Sequence, residues 1–288
     1  MFACTLFGVD RQVYYRKITR RKTRQSSASK VVSLVLEIRQ TMPRIGAKKL
    51  YFLLNNELKE LKIGRDKFIT ILRANHLLIV PKRSYHITTN SHHRFRKHQN
   101  QILELQIQRP EQVWVSDITY IGKRENPCYL SLVTDAYSKK IVGFNVADNM
   151  NTESSMVALK NAVKNRKYTS LSLIHHSDRG LQYCANDYQK ILNKSNIKCS
   201  MTQNSDPYEN AVAERINGIL KQEFAIDKFN AALPVMKFLV KNAIEIYNEK
   251  RPHYSNFMLT PNQMHQQNKI IMRTYKTKNT CKNVLASV

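Results

Sequence analysis

At 288 residues and 42% hydrophobic content, the chain is long enough for two or three domains and apolar enough to bury a core, which excludes disorder throughout. Lys and Arg outnumber Asp and Glu 47 to 21, a formal net charge of +26, and neither an apolar window of about 18 residues nor a lipidation signal offers a membrane anchor. The expected partner is therefore a nucleic acid, with no membrane involved. Five scattered cysteines without a Cys-x-x-Cys pair argue against a disulfide framework or a cysteine zinc site, and fit a cytoplasmic protein.

The segment from Leu6 to Arg16 predicts a short helix capped by Asp10, with Val13 and Tyr14 inward. It opens a basic arm over residues 1–29, which ends in a serine-rich linker at Ser26 to Ser29. Three short helices follow, over Lys30 to Thr41, Ala47 to Leu58 and Asp66 to Asn75. Their apolar positions are Val31, Leu34, Val35 and Ile38, then Leu50, Tyr51, Leu53 and Leu54, then Phe68, Ile69 and Leu72. Residues 30–78 are thus expected to form a helix-turn-helix-like DNA-binding domain, although such packets also serve as interaction modules. Lys48 and Lys49 are candidate DNA contacts there.

Residues 79–110 form a predicted basic linker that could follow a phosphate backbone through Arg94, Arg96 and Lys97. Its clustered histidines, His86, His92, His93 and His98, have no cysteine pair to complete a metal site.

A period of two begins at Val113 to Ile121, and strands at Cys128 to Asp135 and Lys140 to Val146 extend it into an antiparallel meander. A helix near Thr152 to Asn165, a strand within Leu171 to Gly180, a helix near Ala185 to Ser195 and a strand near Ile197 to Met201 complete the pattern. This order predicts an α/β fold with a mixed five-stranded sheet over residues 111–265, and a basic tail at 266–288. A further helix is expected from Tyr208 to Phe224, opened by Asp206-Pro207. It places Asn210, Glu214, Asn217 and Lys221 on one side and Val212, Ile216, Ile219 and Leu220 on the other. An amphipathic helix from Leu233 to Tyr247 is expected to pack on the core or on a second subunit.

Asp117 interrupts an apolar strand, Asp178 lies just beyond another, and Glu214 stands on a polar helix face. For either aspartate alone, a hydrogen-bonded structural acid and a metal ligand are equally open readings. Together, in so basic a chain, they suggest oxygen-only ligands for Mg²⁺ or Mn²⁺, and with two such ions phosphoryl transfer without a covalent enzyme intermediate. The aspartates can meet only if the first and fourth strands are neighbours.

The motifs Trp114-Val-Ser-Asp117-Ile-Thr-Tyr, His175-His-Ser-Asp178-Arg-Gly-Leu-Gln-Tyr and Asn210-Ala-Val-Ala-Glu214, with Lys221 seven residues on, resemble the catalytic core of bacterial insertion-sequence transposases. The resemblance is to the second-reading-frame product of the IS-three family, related to retroviral integrases. It runs from about Lys30 to Gln263 and includes Tyr247-Asn-Glu-Lys-Arg-Pro-His-Tyr and Leu259-Thr-Pro. It implies an RNase H-like core with helices on both faces, in which Asp117, Asp178 and Glu214 hold two Mg²⁺ ions. It implies cleavage at the element's ends and strand transfer, by a multimer assembled on double-stranded DNA carrying the terminal inverted repeats and on target DNA. Lys221 would contact phosphate near the scissile bond, supported by Asn210 and Arg215, with Asn217 and Arg179 as further candidate contacts. Ser116 stands where the family commonly has Thr, and Glu209 where Asp is usual. No sustained heptad is present, so an upstream-frame protein is an expected partner. The competing expectations are a catalytically inactive DNA-binding regulator and an RNase H-like nuclease that cuts without joining.

Overall fold

The computed structural model describes residues 6, 8, 10–80, 100–102, 105–122, 127–202 and 210–267. The chain divides into two units, residues 1–81 and 82–288.

In the first unit, Asp10 caps a helix as expected, its Oδ1 accepting from Gln12 N at 2.6 Å. That helix, α1 (Arg11–Thr41), then runs unbroken for 31 residues. The serine-rich linker at Ser26 to Ser29 is helical, so the expected division at residue 29 falls inside α1. No Pro or Gly stands between Arg11 and Thr41, and the moderate propensities of Ser and Ala yield to the template supplied by the buried Val31 and Val35. Val13 and Tyr14 are exposed rather than inward: among the described residues, the buried apolar positions of α1 are Val31 and Val35, in its other half. The helix stops at Met42, ahead of Pro43.

The expected helix over Ala47 to Leu58 is two pieces, α2 (Ala47–Leu53) and α3 (Asn55–Glu60), broken at Leu54 where Asn55 and Asn56 are weak helix formers. With α4 (Arg65–Ala74) these bury Leu50, Leu54, Leu58, Phe68 and Leu72 against α1.

The second unit carries strands β1 (Val113–Ile121), β2 (Cys128–Asp135), β3 (Ile141–Ala147), β4 (Leu173–Ser177) and β5 (Ile197–Met201), in the order β3-β2-β1-β4-β5. The first three form the antiparallel meander, and β4 and β5 join in parallel beside β1. This mixed sheet is RNase H-like in order and direction.

Alternation along β1 assigns the two faces. Trp114 points into a cluster with Leu159, Tyr188 and Leu192, from α5 (Thr152–Lys164) and α7 (Asn186–Lys194), beside the short α6 (Leu181–Cys184). Val113 and Val115 point the other way, to Ala213 of α8 (Ala211–Gln222). Asp117 shares the parity of Val113 and Val115 and so faces α8.

The same cluster takes in Ile102, Leu105 and Ile107, which corrects the expected linker: its end is packed on the core, because these apolar positions interrupt the polar run. The helix expected from Leu233 is α9 (Leu233–Glu249), with Met236, Val240, Ala243 and Ile244 buried. Asn248 imitates a strand at the β3 edge, donating to Ile141 O and accepting from Ile141 N, each at 3.0 Å. Arg251 is buried and donates twice to Glu223, at 2.8 Å each, tying the ends of α8 and α9. A last short helix, α10 (Pro261–His265), begins with a capping box between Thr260 and Gln263. Among the described residues, no disulfide joins Cys128, Cys184 and Cys199, and no helix is long and apolar enough to cross a membrane.

Gly143 sets how closely α5 approaches β3. A Cβ there would lie 2.2 Å from Ala158 O and 2.8 Å from Ala162 Cβ. Gly143→Ala is expected to cost about 2–3 kcal/mol by forcing the helix from the sheet. Urea unfolding checks this, and an unchanged midpoint would refute it.

Candidate active site

The parallel register pairs Ser116 with Ser177, so Asp117 and Asp178 each follow a matched pair on neighbouring strands. β4 ends at Ser177, and Asp178 begins the exit loop with its Oδ1 accepting from Gly180 N at 3.0 Å. A Cβ at Gly180 would come within 3.0 Å of that carboxylate, so glycine leaves room for it.

Asp117 is half-buried. Burial, and then the charge of Asp178, push its carboxyl up to about 7, against the smaller opposing effect of hydrogen bonds from Ile118 N and Asn217; Glu214 adds a further upward push. Asn217 Nδ2 donates to Asp117 Oδ2 at 2.7 Å, and Asn210 Nδ2 donates to Ser116 O at 3.2 Å. The two amides are therefore buried against β1, which corrects the division of this helix into one packing side and one open side. Only Glu214, between them, is exposed, and desolvation still raises its carboxyl.

Lys221 lies further along the same stripe, its Nζ 4.2 Å from the centre of the Tyr120 ring. Burial lowers its ammonium, and the charges of Asp117 and Asp227 oppose that. Arg179 is half-buried beside Asp178; Arg215 is exposed, and its charge reaches Tyr247 on α9. Lys48 and Lys49 belong to the first unit. Arg94, Arg96 and Lys97 lie outside the described residues, as do Asp206 and Pro207, the expected opening of α8.

The structure thus brings Asp117, in the middle of β1, beside Asp178, just past the end of β4, where the parallel pairing of the two strands stops, with Asn217 and Lys221 on α8 beside them and Glu214 close enough to act on Asp117 through its charge. Among the described residues no three His, Cys, Asp or Glu side chains close into a metal-holding cluster. The donor chemistry nevertheless suits a divalent cation: carboxylates forced together resist ionising, which a cation would relieve. Asn217 Oδ1 is also buried without a hydrogen-bond partner among the described residues.

One supporting network was not foreseen. His175 Nε2 faces both Ser116 Oγ at 2.7 Å and Tyr188 OH at 2.9 Å. Burial first, then neighbouring His176, push His175 down to about 3, so it is neutral, and its tautomer sets whether Nε2 donates to or accepts from a hydroxyl. The network joins β1 and β4 immediately before both aspartates. The signal was present in His175-His-Ser-Asp178, but a sequence does not disclose which hydroxyls a buried imidazole meets.

Two integrase core domain models match the chain, over residues 107–207 and 195–261. The 31 kDa protein of insertion element IS600 from Shigella sonnei is 32% identical over 260 residues, covering 87% of this chain and 92% of that protein. The transposase InsF for insertion sequence IS3fB from Escherichia coli K12 is 35% identical over 160 residues, 55% of each chain. That second match spans about half of InsF. Among solved structures, the HTLV-2 integrase catalytic core domain in complex with magnesium aligns with 55% of this chain and 98% of its own at 19% identity, with a TM-score of 0.44. A chain of the simian T-cell lymphotropic virus intasome aligns with 77% of this chain and 75% of its own at 18% identity, with a TM-score of 0.48. With the IS600 protein matched over nearly its whole length and the integrase core models covering the sheet and α8, the chain belongs to the integrase-core family of insertion-sequence transposases.

Proposed function

We propose that the protein is a DNA transposase that cuts the ends of its insertion sequence and joins them to target DNA by phosphodiester transesterification. The observation that carries this reading is the pair Asp117 and Asp178, each just past the last pair of the parallel β1–β4 register, with Asp117 pushed up to about 7 within a chain of net charge +26. Asp117, Asp178 and Glu214 are the proposed ligands of two Mg²⁺ ions, with Mn²⁺ as a substitute. When bound, such ions sharpen an attacking hydroxyl and stabilise the leaving oxygen.

The chain's own residues do the rest. Asn217 holds one oxygen of Asp117 and so directs the other, while Asn210 fastens the start of α8 to β1. Lys221, with its ammonium over the Tyr120 ring, offers a cation to a phosphate approaching Asp117; Arg179, Arg215, Lys48 and Lys49, with Arg94, Arg96 and Lys97, are proposed backbone contacts. The working form is a homo-oligomer on paired DNA ends, with an upstream-frame protein as a possible further subunit.

Incubation with a labelled element end, target DNA and Mg²⁺ tests this. Joined strands that vanish with EDTA or in Asp178→Asn are the expected result. Nicks without joining would make the protein a nuclease, and binding without either product would make it a regulator.

A further inference from the structure

We infer that the exposed N-terminal half of α1 is a DNA-binding element that lies in the major groove of duplex DNA. The inference rests on the transposase reading for the identity of the nucleic acid. From Arg11 to Arg24 the helix carries Lys or Arg at seven positions and no Asp or Glu. Five of these, Arg16, Lys17, Arg20, Arg21 and Arg24, line one shallow groove together with Val13. Their spacing of three or four residues keeps them on a single face.

Like charges repeated at this spacing destabilise a helix by about 0.2–0.5 kcal/mol per pair. The structure keeps the arrangement with no Asp or Glu between Arg11 and Arg24 to relieve it, and an anionic partner supplies that relief. From Arg16 to Arg24 the stripe is about 12 Å long, a length over which duplex DNA presents about seven phosphate charges.

Other occupants fit less well. No apolar residue stands between Ile18 and Ala28, so a second copy of the helix would find no seam to bury and would meet the same positive charge. An α-helix about 10–12 Å across matches the major groove of B-form DNA, about 12 Å wide, whereas the deep, narrow major groove of an RNA duplex does not admit it. All residues from Arg11 to Ser26 are exposed except the half-buried Ile18, so a groove could receive this half of the helix with its side chains unobstructed by its own unit.

The test uses the full chain and a random-sequence DNA duplex, with binding measured across salt concentrations. Replacing Arg16, Arg20, Arg21 and Arg24 together by Ala preserves helix propensity and should lower the slope of log K against log salt by about 3–4, with an affinity loss of over about 100-fold near 0.1 M salt. The same four positions changed to Lys should keep the wild-type slope. An unchanged slope in the Ala variant, a reduced slope in the Lys variant, or RNA duplex bound as tightly as DNA would each overturn the assignment. Strand joining is assayed in parallel: DNA binding with the expected slope change but no joined product would overturn the transposase reading and leave the α1 assignment standing.

Discussion

Asp117→Asn is expected to reduce strand joining by about 10³-fold or more while making the metal-free protein more stable at pH 8. The two effects share a cause. Burial and the Asp178 charge raise the Asp117 carboxyl to about 7, well above its ordinary value, so the folded state holds that proton more tightly than the unfolded chain does. The sign follows: at low pH both states are protonated and the group contributes nothing, and as pH rises through the ordinary carboxylate range the unfolded chain ionises first. Stability is lost up to about pH 7 and the deficit is constant above it. Asparagine removes the charge but can still accept from Asn217, so the variant should gain about 1–2 kcal/mol, a figure discounted for the partial exposure of the site. Thermal unfolding of both proteins from pH 4 to pH 8 measures the difference. A variant less stable than the wild type at pH 8, or one that still joins strands, would break the link between strain and chemistry.

His265→Ala should cost about 3–5 kcal/mol by leaving two buried carboxylates without their cation. His265 Nε2 lies 3.4 Å from Glu111 Oε1, and Nδ1 lies 3.7 Å from Asp135 Oδ1 and 2.9 Å from Ser138 Oγ, which donates to Asp135 Oδ1 at 2.6 Å. All four residues are buried. Glu111 also accepts from Lys167 N and Tyr168 N, and its own N donates to Asp135 Oδ2 at 2.6 Å. The cluster thus joins the start of β1, the end of β2, the chain after α5 and the end of α10.

Burial alone would lower His265, but the nearby carboxylates of Asp135 and Glu111 outweigh it and raise the imidazole above its ordinary value. Glu111 ends below its ordinary value because His265 and two backbone amides outweigh its burial. The His265 contribution is complete below about pH 6.5 and is lost as pH rises through its raised folded value; the Glu111 contribution is complete above about pH 4.5 and is lost as pH falls through its lowered one. The cluster contributes most between about pH 4.5 and 6.5, and in an Asp117→Asn background, which lacks the loss that Asp117 causes up to about pH 7, His265→Gln should remove the remaining alkaline decline. Urea midpoints across pH 4 to 9 would show it, and an alkaline limb that survives in His265→Gln would assign the decline to another group.

The two kinds of acid differ in how far inspection of residues can single them out. Asp117, Asp178 and Glu214 stood out because each interrupts or ends an apolar pattern, and motif spacing tied them together. Glu111, Asp135 and His265 sit at element ends where polar residues are ordinary, and nothing in their spacing reveals that the chain returns His265 to Asp135. The same limit produced the false break at Ser26 to Ser29, where local composition suggested a linker and the continuing helix was decided by what its C-terminal half packs against.

What the amino-acid order determined by itself was the set of elements in the core and the chemical types gathered on them, because hydrophobic period and turn residues act over a few positions. The strands from Val113 to Ile121, Cys128 to Asp135 and Ile197 to Met201 coincide with their expected limits for that reason. Only the tertiary structure decided that β1 and β4 are parallel neighbours, that Asn210 and Asn217 turn toward the sheet, and that Asp117 is strained by Asp178. Those facts depend on strand register and on desolvation, which arise between segments distant in the chain and are absent from any one of them.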